Sequence, residues 1–287
     1  MAERPDLEYV VPILERELAG RAIAGVRLRK PVVLRLAVPG TPAALLLGRR
    51  IARVARRAHF VRLELEGAGD PLEIVIALML AGRFVLAPAD ARDSADLALA
   101  LALDDGRELR YRDDVQMGKV YVIPRGDWRR VPGLAEIGVD VLDPAVFTRE
   151  RFVSLARHRR DQLKVFLMDK RALDALGNAY ADEVLFEARL HPKTLVRSLS
   201  PDELDRLHDA IVKVLTDARD EIARRQPPLD EKLRDFLRVR NRHGELCPRC
   251  GATIRRAGVH GHDAFFCPDC QVANRKTGIV DWRRGPH

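Results

Sequence analysis

The chain has 287 residues, 47% of them hydrophobic, and 50 Lys and Arg against 42 Asp and Glu give it a net charge of +8. No uninterrupted apolar run reaches the roughly 20 residues that span a bilayer. The opening MAERPDLEYV has neither the basic nor the apolar region of a secretory signal, so we expect a soluble protein without a membrane partner. The excess of cations suits a polyanion, nucleic acid first. All four cysteines lie between Cys247 and Cys270, which argues against a disulfide framework and for a reducing, cytoplasmic compartment.

In chain order, Leu7, Val10, Val11, Leu14 and Leu18 recur at helical spacing, so a helix begins within the first few residues. Residues 22–123 then read as β structure. Val61 to Glu66 alternates strictly, as a strand with one wet face does, and Leu72 to Leu80 is nearly all apolar. Leu97–Leu103 and Glu108–Tyr111 flank the turn Asp104-Asp105-Gly106, and Lys119–Ile123 is a further strand. Six to eight strands without intervening helices predict an antiparallel sandwich. A Pro- and Gly-containing stretch from Pro132 to Pro144 leads into helical periodicity from Arg149 to about Arg225. Ser200-Pro201-Asp202-Glu203 has the form of a capping box with proline at the first helical position. A short helix is expected over Glu231–Leu237.

Cys247-Pro-Arg-Cys250 and Cys267-Pro-Asp-Cys270, with sixteen residues between them, form a C-x2-C…C-x2-C arrangement. Two such knuckles bring four thiolates onto one tetrahedral ion, and zinc is its usual occupant. With every position filled, the ion has a structural task. Gly251–Phe266 should be two strands, turning near Gly258–His262 with a basic tip of Arg255, Arg256, His260 and His262.

Three stretches carry a family resemblance. Leu167–Pro192, LMDKRALDALGNAYADEVLFEARLHP, resembles the helix–two-turn–helix region of the formamidopyrimidine-DNA glycosylase / endonuclease VIII family. The terminal cysteine hairpin is similar to that family's zinc finger, and MAERPDLE to its start, Met-Pro-Glu-Leu-Pro-Glu-Val-Glu. The resemblance implies an α+β fold: an N-terminal helix with an antiparallel β-sandwich over 1–132 and a linker over 133–148. A helix–two-turn–helix domain over 149–236 and a zinc-ribbon β-hairpin over 237–272 follow, and residues 273–287 form a tail. It also implies a monomer that binds damaged or abasic duplex DNA, flips a nucleotide out, and attacks the sugar with its own N-terminal amine.

Carried over position by position, the resemblance makes Ala2 the nucleophile once Met1 is removed, where the family has proline, and Glu3 the catalytic glutamate. His59 stands where the family has a phosphate-contacting lysine, and an imidazole carries its full charge only below about pH 6.5. Leu80, Gln116 and Met117 occupy the loops that fill the space of the flipped nucleotide, though the family's arginine is absent around Val115–Gln116. Lys164, Asn178 and His262 fall at phosphate contacts. Cys247, Cys250, Cys267 and Cys270 are the zinc ligands. The replacements at Ala2 and His59 leave a second reading, a relative that binds damaged or abasic DNA without cutting it.

Overall fold

The structure, a computed structural model, describes residues 3–174 and 176–273. The chain divides into two compact units: one runs up to Ile137 and includes Arg219–Leu233, and the other comprises Gly138–Ala218 and the described residues from Arg234 on.

The first unit opens with α1 (Arg4–Leu18), whose Leu7, Leu14 and Leu18 are fully buried. There follow β1 (Ile23–Leu28), β2 (Leu34–Leu36), the short α2 (Pro42–Leu46), β3 (Arg50–Arg57), β4 (Phe60–Glu66), β5 (Leu72–Ala77), β6 (Arg83–Pro88), β7 (Leu97–Leu103), β8 (Arg107–Arg112) and β9 (Lys119–Pro124). They form one sheet of order β1-β7-β8-β6 and another of order β2-β9-β5-β4-β3. Alternation sorts their side chains. Leu99, Leu101 and Leu103 of β7 join Leu63, Leu65, Ile74 and Ile76 and the apolar face of α1 in one core.

Strand β5 is buried on both faces, which explains its unbroken apolar run. Leu72, Ile74 and Ile76 face the main core, while Val75 and Ala77 pack with Val131, Leu134 and Trp128 on the outer side. Its one acid, Glu73, is fully buried and paired with Arg62, and it accepts from the Gly126 N–H at 3.1 Å. The strands pair antiparallel except β2, which runs parallel to β9. β2 reaches this sheet from a strand of the other sheet, so no hairpin fixes its direction.

The second unit contains α3 (Arg149–Arg157), α4 (Leu163–Met168), α5 (Asn178–Glu187), most of α6 (Pro201–Arg225), and the hairpin β10 (Arg255–Val259) and β11 (His262–Phe266). Thr148 caps α3, accepting from the Arg151 N–H at 3.2 Å. The expected capping box opens α6: Ser200 Oγ accepts from Glu203 N–H at 3.2 Å, and Glu203 accepts from Ser200 N–H at 2.9 Å. Leu207, Ile211 and Leu215 of α6 then pack against Phe166, Leu167, Tyr180 and Val184.

Two expectations differ from the structure. Glu231–Leu237 is not helical; its last residue makes a single turn to Arg234. The N–H groups of Arg238, Val239 and Arg240, which a continuing helix would direct to its own carbonyls, instead go to the buried carboxylate of Glu183 at 2.9–3.0 Å. The linker expected over 133–148 contains the division between the units. Leu134 packs in the first unit, Val141 and Phe147 pack in the second, and the division falls between Ile137 and Gly138. Residues 149–236 do not form one body, since the last turns of α6 and the following residues to Leu233 belong with the first unit.

Candidate active site and nucleic-acid contacts

Ala2 lies outside the described residues, which begin at Glu3. Glu3 is only 3% exposed and is the N-cap of α1. Its carboxylate and that of Asp6 exchange bonds with each other's backbone N–H, Glu3 N–H donating to Asp6 Oδ2 at 2.8 Å. This satisfies two donors at the helix start and fixes the carboxyl that follows the second residue of the chain. One turn on, the Glu8 carboxylate forms ion pairs with Arg4, at 2.9 Å from its Nε, and with Arg56, at 3.3 Å from its Nε. Arg56 also donates to the Ala58 carbonyl at 2.7 Å. That carbonyl belongs to the two-residue turn Ala58-His59 joining β3 to β4, with φ 52° at Ala58. His59 therefore sits on a strand-joining turn that Arg56 and Glu8 tie to the first turns of α1. Its ring lies 4.1 Å from that of Phe60, and it is half-buried. Sequence reasoning singled out Glu3 and His59 but not Arg56 or Glu8, because the tie crosses from helix to strand.

Two loops of the same unit present the other expected residues. Leu80, on the turn after β5, is 57% exposed, and Met117, after β8, is 45% exposed. Gln116, beside Met117, is half-buried and holds a left-handed φ of 58°. Asp113, unremarked in the sequence, organises that second loop. It is fully buried and accepts from the N–H groups of Val115, Gln116 and Gly118 at 3.1, 2.9 and 2.8 Å. An Asp just past a strand and five residues before a glycine was the available signal.

In the second unit, Asn178 is the first residue of α5 and is half-buried behind the N-cap Gly177. Its Oδ1 is buried with no hydrogen-bond partner among the described residues. The N-terminus of a ten-residue helix suits an anion. Lys164 is placed otherwise than expected. It is fully buried, its Nζ donating to Asp182 at 2.5 Å and to the Asp263 carbonyl at 2.7 Å. Arg240 joins the same pair, at 2.9 Å from Asp182 and 3.1 Å from the Asp263 carbonyl. Burial pushes the Asp182 carboxyl up to about 6 against the pull of Lys164 and Arg240. The Lys164 cation is thus spent inside the unit, holding β11 to α4 and α5, and a surface phosphate contact is not what this arrangement provides.

The hairpin turns through His260 and Gly261, both at positive φ (44° and 80°), as a two-residue I′ turn requires. His262 follows at the tip and is exposed. It borders a groove of about 360 Å³ shared with Arg159, Asp161, Asp169 and His260. At the other end of the hairpin the Sγ atoms of Cys247, Cys250, Cys267 and Cys270 lie within 4.8 Å of one another. Cys247 and Cys270 are 3.9 Å apart, and Cys250 and Cys267 are 3.4 Å apart. Tetrahedral Zn–S bonds of about 2.3 Å put sulfurs about 3.8 Å apart, so the cage fits. Each knuckle also turns a backbone N–H onto its first sulfur, from Arg249 and from Cys270 at 3.4 Å. The four cysteines are the site of one structural zinc ion.

Comparison with known proteins gives matches along nearly the whole chain. Residues 1–120 match the formamidopyrimidine-DNA glycosylase N-terminal domain, 137–224 its H2TH domain, and 244–272 the zinc finger found in FPG and IleRS. A formamidopyrimidine-DNA glycosylase of Desulforamulus reducens is 33% identical over 95% of this chain and 100% of its own. That of Heliobacterium modesticaldum is 36% identical over 94% and 100%. Among solved structures, the MutM (Fpg) protein of Thermus thermophilus superposes with a TM-score of 0.81 at 33% identity, covering 94% of this chain and 98% of its own. The Lactococcus lactis Fpg in complex with abasic-site DNA gives 0.84 at 27%, covering 95% and 100%.

Proposed function

The chain belongs to the formamidopyrimidine-DNA glycosylase family, and we propose that it is a DNA-repair glycosylase with AP lyase activity that works through the primary amine of Ala2. The observation that carries this reading is the buried Glu3, whose N–H and carboxylate are both bonded to Asp6, one peptide bond from that amine and on the helix that Glu8 and Arg56 tie to the turn bearing His59.

The amine's lone pair forms a bond to the sugar C1′ while the bond from C1′ to the damaged base breaks and the base departs with a proton. The attached amine gives one proton to the Glu3 carboxylate, which passes it to O4′ as the C1′–O4′ bond breaks, leaving a protonated imine between Ala2 and C1′. That cation makes a C2′ proton acidic, and its removal expels the 3′ phosphate. An α-amine suits the first step because its ordinary pKa of about 7.7–8.0 leaves a neutral fraction near pH 7, where a lysine at about 10.4 has almost none. A primary amine must keep a proton on the imine to act as electron sink, which a proline does not need.

Several elements support a DNA partner. Leu80 and Met117 are exposed apolar side chains of the kind that wedge between base steps. Asn178 at a helix start and His262 at the hairpin tip would meet phosphates. The exchange of lysine for His59 also favours the second reading, binding without cleavage. An incision assay on a duplex with one abasic site separates the two. We expect a β-elimination product from the mature chain and none from a form that retains Met1. Tight binding by both forms with no incision by either would establish the binding-only reading.

A further inference from the structure

Leu80 and Met117 sit on different loops, and a wedge made from two loops works only if both are held in register. We propose that Asp113 and Lys119, with the Tyr111 hydroxyl, form a clamp that pre-sets the two loops, making Asp113 and Lys119 positioning residues for insertion into DNA. The proposal deepens the glycosylase reading and rests on it.

The loop Asp113–Lys119 is gripped on both sides of its backbone. Asp113 gathers three of its N–H groups, as described above. Lys119 Nζ donates to the carbonyls of Gln116, Met117 and Gly118 at 3.2, 3.3 and 3.1 Å. A buried carboxylate on the donors and an ammonium on the acceptors leave the main chain few alternatives, and Gln116 is held at φ 58° against its own preference. The side chain of Met117 projects from this fixed frame.

Tyr111 carries the constraint across to the Leu80 loop. Its buried hydroxyl donates to Asp113 Oδ2 at 3.2 Å. A Cβ at Gly118 would lie 1.8 Å from that hydroxyl oxygen, and one at Gly82 would lie 2.8 Å from it and 2.4 Å from the Leu78 carbonyl. Both glycines are thus required where the loops close on Tyr111. Gly82 N–H returns to the Leu78 carbonyl at 2.9 Å, closing the turn that carries Leu80. Burial, then the neighbouring Asp113, push the tyrosine's pKa well above its ordinary value, so the hydroxyl stays a donor at any working pH.

The test uses a duplex with one abasic site flanked by 2-aminopurine, whose fluorescence rises when its stacking is broken. The full-length chain should raise the signal, and Met117→Ala should suppress it. Asp113→Asn, which is nearly isosteric, and Lys119→Met, which keeps the apolar stem at the surface, should each suppress the rise and weaken abasic-site binding about tenfold by loosening a pre-set loop. Binding to undamaged duplex should hold in both variants and the melting temperature in Lys119→Met, while Asp113→Asn, whose amide turns a donor toward N–H groups that the carboxylate accepts from, should melt lower. Combining either with Met117→Ala should add little to either loss. A rise in both clamp variants equal to that of the unsubstituted chain, with Met117→Ala still silent, overturns the clamp. No rise from the unsubstituted chain overturns the wedge reading and the clamp with it.

Discussion

At Glu3, helix capping and the proposed proton transfer would draw on the same carboxyl, and Glu3→Gln separates them. The amide keeps an oxygen to accept from Asp6 N–H, so the start of α1 should lose no more than about 1 kcal/mol. An amide cannot deliver the proton, and incision of an abasic site should fall about 10²–10⁴-fold. Thermal melting and a single-turnover incision assay read the two effects apart. His191 is a purely structural case. Burial, and then Lys193, depress its pKa to about 4, while its Nδ1 accepts from Lys193 N–H at 3.2 Å and its ring lies edge-on to Phe266. The folded value is below the ordinary 6.5, so the unfolded chain binds more protons between pH 6.5 and 4. The stability that the neutral imidazole contributes is present above pH 6.5 and lost as pH falls toward 4. We expect the second unit to melt at progressively lower temperature through that window, and His191→Gln to flatten the trend.

Elements with strong local signals were legible in the sequence. The Ser200 capping box, the proline behind it and the apolar face from Leu204 to Leu215 announced α6, and Ser200→Ala should cost about 1 kcal/mol in melting experiments. The cysteine spacing announced the zinc hairpin. Chelation should unfold that hairpin and abolish binding to abasic DNA. In circular dichroism the β signal of the first unit should persist, since among the described residues its core shares no member with the cluster around the zinc ligands. What stayed illegible depends on partners far along the chain. Lys164 reads as a surface cation until Asp182, eighteen residues on, and the carbonyl of Asp263 are brought to it. Leu233, Phe236 and Leu237 have helical spacing, but Glu183 takes the following N–H groups from 55 to 57 residues away. Lys119 gave no pattern, and Asp113 only a local turn signal, because their role is to hold main chain rather than to repeat.

On the scale of the whole molecule, the expected order of helix, sandwich, helical block and zinc hairpin holds, while the division into units does not follow the sequence order. Residues 219–233 return to the first unit, where Tyr9 donates to the Pro227 carbonyl at 2.8 Å and Arg112 pairs with Asp230 at 2.9 Å. No composition shift marks that return. The net charge of +8 bears on the chain as a whole. Affinity for abasic duplex should fall by roughly 10³-fold between 50 and 200 mM salt if at least six phosphates are contacted. The most direct test of the account is borohydride trapping on a duplex with one abasic site, followed by intact mass and peptide mapping. We expect a covalent adduct on the Ala2 amine that is absent when Met1 is retained. Tight binding with no adduct anywhere between pH 6 and 9, or an adduct on an internal lysine, would contradict it.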